Sequence, residues 1–274
     1  MKKIYMMTDL EGVAGVLNFE EWAFKSGRYY DLAKEFLTRE VNAAAAGLFD
    51  GGVEEILVSD GHGDGGINPG LLDPRVELLR GWPNGWPLEM DKSFDGLVFV
   101  GQHAKAGSPG GHLCHTQSTN WIDTTINGIS IGEFGQMAVC ANELKVRTIF
   151  ASGDAQFARE ARKLVPGIET VAVKRGVQRK SGDDLNERDY IRHFSGAVHV
   201  PPERARKMIY EGALRAITRA KKEKFGLFRM KPPYKRVIVY RPDDKNPTKR
   251  ISRDSHPRSV IALLNMRDNP KPVA

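Results

Sequence analysis

Four short apolar runs each end on a small or acidic residue, and this pattern limits the fold more than any other feature of the chain. KIYMMTDLEG, EEILVSDGHG, DGLVFVGQHA and ISIGEFG are too short for buried helices and read as strands closed by tight turns. Helical spacing fills the intervals. It predicts a helix from about Tyr30 to Phe49 that ends at Gly51-Gly52, one from Glu133 to about Leu144, and one from about Ala155 to Val165. Further strands are expected at Glu55–Ser59, Gly96–Val100, Arg147–Ala151 and Glu169–Val173. Strand and helix in alternation predict an α/β fold, a central mostly parallel sheet flanked by helices, with a smaller divergent C-terminal region.

The polar residues at these strand ends carry the chemistry. Asp9 and Glu11 follow the first run, His62 the second, His103 the third and Glu133 the fourth. In an open α/β sheet, ligands bind beyond the carboxyl ends of the strands, where loops distant in sequence converge. Taken singly, each residue has a plainer reading: solvated turn acids, a core histidine, or a helix N-terminal glutamate favoured by the macrodipole. Together, three carboxylates and two imidazoles exceed the needs of one structural zinc and suit a two-metal hydrolytic site. No cysteine belongs to the set, and neither an H-E-x-x-H pair nor a phosphate-binding loop is present.

Other segments frame that site. The Gly-, Pro- and Trp-rich stretch Gly63–Pro87 is long enough to form a wall of it. The aperiodic stretch Ala106–Trp121 carries His112, Cys114 and His115. His115 follows His103 by twelve residues, enough to fold back over the site and move a proton during amide cleavage. His112 is expected at a loop surface and Cys114 as a small buried apolar residue. Asp60 reads as a turn former or as an orienting partner of His62, and Asp154 and Lys174 as strand-end groups within reach of substrate. An Asn127-Gly128 pair predicts a hairpin over Thr124–Ile131.

Composition narrows the class. At 274 residues, 41% hydrophobic and 27% charged, the chain has the make-up of an ordinary globular protein with a substantial core. It lacks an apolar run of about 18 residues, so no membrane partner is expected. Its N-terminal apolar stretch meets acid at Asp9, which marks a first strand rather than a signal sequence. Two cysteines do not make a disulfide framework, and a cytoplasmic location is the expectation. Pro201-Pro202 marks a change of character, dividing an α/β domain (1–200) that carries the candidate metal site from a helix plus short basic region (201–274). Beyond it lie a helix over Glu203–Lys222 and one clear strand, Arg236–Tyr240, with a polar, loosely ordered end. Glu203 to Arg258 holds 18 Lys plus Arg against 6 Asp plus Glu, so a nucleic-acid-binding protein is the alternative of another class. No aromatic platform or nucleic-acid motif accompanies that charge, which leaves a solvated helix face as the simpler reading.

The ordered motifs resemble the D-aminopeptidase family of dinuclear zinc peptidases. The likeness rests on Asp9-Leu10-Glu11-Gly12, Ser59-Asp60-Gly61-His62, Gly101-Gln102-His103-Ala104 and His115-Thr116. It continues through Gly132-Glu133-Phe134-Gly135, Gly153-Asp154 and Val171-Ala172-Val173-Lys174, and so spans roughly residues 1–180. It implies two zinc ions per subunit, held by Asp9 (bridging), Glu11, His62, His103 and Glu133. It also implies a catalytic His115, as nucleophile or in proton transfer beside a metal-activated water. Short peptides with an N-terminal D-residue are the implied substrates, and a ring-shaped homo-oligomer, a decamer, the implied assembly. Hydrolysis of another small amide or amino-acid derivative is the alternative within the class. The family ordinarily closes with an apolar strand-and-helix unit, from which the basic, Pro-containing segment Arg229–Ala274 departs.

Overall fold

Every strand of the central sheet is short and most are apolar on both sides, because helices cover both faces. The computed structural model describes residues 1–273. Its main sheet comprises Lys3–Thr8 (β1), Glu55–Asp60 (β2), Glu77–Leu79 (β3), Gly96–Gln102 (β4), Arg147–Asp154 (β7), Glu169–Gly176 (β8) and Ala197–His199 (β9). The order is β3-β2-β1-β4-β7-β8-β9, parallel throughout except for the last pair. Side chains alternate across it: Ile4 and Met6 enter one core and Tyr5 the other. The first core is roofed by Tyr30–Asp50 (α1) and Pro202–Lys222 (α5), the second by Glu133–Leu144 (α2) and Ala155–Leu164 (α3).

A second, antiparallel sheet was not foreseen. Trp121–Ile126 (β5) and Ile129–Ser130 (β6) form the expected hairpin, but β5 also pairs with Tyr234–Tyr240 (β10). Outside β10 lie Arg250–His256 (β11) and Lys271–Pro272 (β12). The chain before and after residue 200 therefore shares this sheet, and α5 packs on α1.

The expectation of one strand and a loosely ordered end needs correction. Within the described residues, β11 and the short helix Val260–Leu264 (α6) follow β10; Ala274 lies outside them. β11 hides its strand character because polar pairing replaces apolar alternation. Arg236 on β10 is buried and binds Asp254 at 3.0 Å and Asp268 at 2.8 Å. α6 inserts Val260, Leu263 and Leu264 into the second core, and Glu143 of α2 accepts from Ser259 and the Val260 amide at its N-terminus. Much of the basic character is used internally. Arg241 is buried over the Tyr190 ring and donates to the Gly182 and Leu185 carbonyls, while Arg219 and Arg250 pair with Glu169, Glu223 and Asp243.

The strand order reverses around β1: successive strands β2 and β3 lie to one side, β4, β7 and β8 to the other. The switch point at the carboxyl ends of β1 and β4 is where this sheet opens a crevice. Two glycines bring those ends unusually close. The Gly12 amide donates to the Gly101 carbonyl at 2.7 Å, and a Cβ on Gly12 would lie 2.1 Å from the Gln102 carbonyl oxygen. Gly101, at φ +78°, would place a Cβ 2.0 Å from the Asp9 carbonyl oxygen. Gly12→Ala is expected to destabilise the protein by about 2 kcal/mol through forced overpacking, measured as a lowered urea midpoint.

No helix among the described residues is long and apolar enough to cross a membrane, and Cys114 and Cys140 are both free and buried.

Candidate metal centre

Asp9 and Glu11 leave β1, His62 leaves β2 and His103 leaves β4, so three adjacent parallel strands deliver four of the anticipated residues to one crevice. Glu133 arrives differently. It is the first residue of α2, reached through the β5–β6 hairpin, and not a strand-end residue of the main sheet as the pattern suggested. A helix N-terminus favours a carboxylate there, half-buried as Glu133 is, which is why the position suits glutamate. His115 folds back as expected, and its ring stacks on His103 with centroids 3.9 Å apart.

The side chains form two adjoining groups, Asp9–Glu11–His62 and His103–His115–Glu133, each with potential ligand atoms within 4.8 Å of one another. Asp9 touches both. Its Oδ1 lies 3.5 Å from His62 Nδ1 and its Oδ2 3.1 Å from His103 Nε2. Glu11 Oε2 is 3.2 Å from His62 Nδ1, and Glu133 Oε1 is 3.7 Å from both His103 Nε2 and His115 Nε2.

Each imidazole uses one nitrogen on the backbone. His62 Nε2 binds the Ala23 carbonyl at 2.8 Å, His103 Nδ1 that of Ala104 at 2.9 Å, and His115 Nδ1 that of Leu113 at 2.9 Å. A carbonyl only accepts, so these nitrogens carry hydrogen and the opposite nitrogen of every ring faces the carboxylates. His103 Nε2 is fully buried and has no hydrogen-bond partner despite its closeness to Asp9. Imidazoles oriented through carbonyls, with their free nitrogens turned toward carboxylates, make a donor set that fits zinc. Gln102, which the sequence places in the Gly101–Ala104 motif without a role, donates to Asp9 Oδ2 at 2.8 Å, and the Leu10 amide to Oδ1 at 2.8 Å.

The electrostatics agree with a cation site. Burial alone would lower the His62 imidazole, yet Glu11 and Asp9 outweigh it and push His62 up to about 12. His103 is likewise held well above its ordinary value, against burial, by Glu133 and Asp9. Burial would raise the Asp9 carboxyl, but His103 and His62 hold it well below the usual range. Two buried carboxylates and the half-buried Glu133 thus create a field that stabilises positive charge, and a divalent ion competes with protons for it.

The site opens on a cleft of about 380 Å³. One wall is the single turn Phe19–Ala23 with Phe24, which the sequence did not flag, and another is Trp82 with Gly63 and Asp64 from the long Gly-rich loop. Gln117, Ser118 and Thr119 complete it, and the Gln117 amide donates to Glu133 Oε1 at 2.6 Å.

Several neighbouring residues turn out to be framework. Asp60 accepts from the Gly66 and Ile67 amides and is a turn former. Asp154 and Lys174 do not reach substrate space. Asp154 is fully buried, accepts from the Gln156 and Phe157 amides at the start of α3, and from the Ala104 and His112 amides. Lys174 donates to the carbonyls of Glu11 and Val16. Strand ends in a covered sheet are buried where loops fold over them, which the pattern of residues did not reveal. His112 is also buried rather than at a surface, its Nε2 between the Leu17 and Ser195 carbonyls at 3.1 and 3.2 Å.

Behind the Asp9–Gly12 turn, Glu40 of α1 accepts from the Ala14 amide at 3.0 Å. Burial pushes its carboxyl up from 4.5 to about 7, against the Ala14 hydrogen bond and the Lys174 charge. The folded chain therefore keeps a proton in that window that the unfolded chain has released, and stability falls as pH rises through it. Glu40→Gln is expected to remove this slope, gaining up to about 3 kcal/mol over the parent near pH 8 and little near pH 5. Urea unfolding of both proteins at the two pH values checks it.

A family model described as D-aminopeptidase matches residues 1–245. The chain belongs to the D-aminopeptidase family. A D-aminopeptidase from Bacillus subtilis (strain 168) is 31% identical over 182 residues, which is 65% of this chain and 66% of the relative, just under two thirds of its length. A solved structure, that of the zinc-dependent D-aminopeptidase DppA from Bacillus subtilis, a self-compartmentalizing protease, resembles this one with a TM-score of 0.79. The likeness covers 95% of this chain and 94% of that one at 23% identity, and is a likeness of fold. The family match runs through β10 and stops before β11, so all six residues of the two groups lie inside it.

Proposed function

We propose that this member of the D-aminopeptidase family is a dinuclear zinc aminopeptidase that removes an N-terminal D-residue from short peptides. The observation that carries the reading is Asp9, whose two carboxylate oxygens face the imidazoles of two separate ligand groups. Asp9, Glu11 and His62 would hold one ion, and Asp9, His103 and Glu133 the other. Zinc bound there supplies an activated water and polarises the scissile carbonyl.

The rest of the chemistry falls to the chain's own groups. His115 lies on the cleft wall, with Nδ1–H held by the Leu113 carbonyl and Nε2 free to take a proton from the attacking water and deliver it to the leaving amine. Phe19, Ala23, Phe24 and Trp82 offer apolar walls to the first side chain, while the acids beside them neutralise the substrate's free amine. The active form is a homo-oligomer, a decamer as the family resemblance implies.

Metal analysis of the purified protein alongside a panel of D- and L-dipeptides tests this. About two zinc per chain with D-selective release is the expected result. A metal-free protein with full activity would overturn it, and turnover confined to D- or L-amino acid p-nitroanilides, with dipeptides untouched, would point to another small amide.

A further inference from the structure

β3 is the edge strand, and Arg80 stands at its carboxyl end as the ligand residues do at theirs. β3 runs parallel to β2 with Ser59 beside Leu79, which brings Arg80 alongside the turn that carries His62. Its guanidinium donates to three carbonyls of that turn: Asp60 at 3.0 Å, His62 at 2.7 Å and Gly63 at 2.6 Å. The only carboxylate oxygen it pairs with among the described residues is Asp60 Oδ1, at 3.9 Å, beyond hydrogen-bonding distance. A cation beside an acid-rich cleft is thus committed to peptide oxygens, not to the acids.

That arrangement has a physical purpose. A planar guanidinium holds several acceptors in fixed relative directions, which an ammonium on a flexible stem does not. Gripping carbonyls before and after His62 fixes the backbone on both sides of the ligand. The His62 side chain is fixed independently through Nε2 on Ala23, so Nδ1 has one direction left, toward Glu11 and Asp9. Trp82, two residues on, donates its indole N–H to Ser59 Oγ at 3.1 Å and lines the cleft. The Gly-rich wall is consequently bound through Arg80 and Trp82 to the strand and turn that carry His62.

We infer that Arg80 is a positioning residue for the Asp9–Glu11–His62 half of the site, setting the affinity of that half for its ion without touching ion or substrate. The inference rests on the two-metal reading. The β4 turn that carries His103 is held by other groups, the Gly12 amide on the Gly101 carbonyl and the Asp154 carboxylate on the Ala104 amide, so the effect of losing Arg80 is confined to one ion of the two.

Zinc titration of the chelated full-length protein, with Arg80→Ala and Arg80→Lys beside it, tests the assignment. The parent is expected to bind two ions tightly. Both variants should bind one ion as the parent does and the other about 10–100-fold more weakly, the usual effect of removing an outer hydrogen-bonding partner of a metal site. Arg80→Lys keeps the charge and guards against simple misfolding, and retention of one tight ion reports that each variant is folded. Two ions bound with parental affinity in either variant would overturn the inference and leave the two-metal reading intact. Equal weakening of both ions would also overturn it, since Arg80 would then act on the whole site. A parent protein that binds no zinc overturns the two-metal reading, and the role of Arg80 with it.

Discussion

Asp9→Asn is expected to abolish peptide hydrolysis and to lower bound zinc from about two ions per chain to one or none. Loss of a single preorganised electrostatic group in an active site costs roughly 10²–10³ in rate. Asp9 serves both ligand groups, so the fall in kcat/KM should exceed about 10³. The same substitution removes a buried carboxylate that His103 and His62 hold well below its usual range, so its ionised form stabilises the metal-free fold. Chelated Asp9→Asn should therefore unfold at a lower temperature than the chelated parent near neutral pH. Elemental analysis, steady-state kinetics and calorimetry on one preparation check all three results. A variant with two zinc ions and full turnover would remove Asp9 from the site.

His115→Ala should show the opposite division. Proton transfer by a positioned side chain contributes roughly 10²–10⁴ in rate, so kcat is expected to fall by that factor while the zinc content stays at two. His115 is the ligand-group histidine that follows no strand of the main sheet, and its backbone-held Nδ1 leaves Nε2 near Glu133 Oε1. Full activity in His115→Ala refutes its catalytic assignment. Loss of one zinc together with activity would instead make His115 a ligand of the second group, a role that its place beside His103 and Glu133 also permits.

How far the residues alone could be followed differs from element to element. The parallel strands were legible because burial on both faces demands continuous apolar runs, and glycine must follow where a loop turns sharply or backbones meet. Helices α1, α2, α3 and α5 announced themselves by 3.6-residue spacing and by Gly51 and Pro202 at their ends. β11 did not, since a strand paired on both sides but stabilised by Arg236 and Asp254 carries no alternation of apolar residues. His112, Asp154 and Lys174 misled for a related reason. Polar residue types suggest solvent or substrate, whereas backbone carbonyls and amides of distant loops satisfy these three in the interior.

By itself, the sequence determined the α/β architecture and placed Asp9, Glu11, His62 and His103 at the same edge of one sheet, because strand direction in a parallel sheet sends every such residue one way. Only the tertiary structure decided that the run before Glu133 pairs in the second sheet and not the main one, that three imidazoles are each turned by a backbone carbonyl, and that Arg80 grips the His62 turn. The His62 and Arg80 contacts join segments distant in sequence, while His103 and His115 bond carbonyls one and two residues away through loop conformations that the surrounding fold imposes. Local spacing carries no record of which carbonyl will meet which nitrogen once the strands are ordered β3-β2-β1-β4.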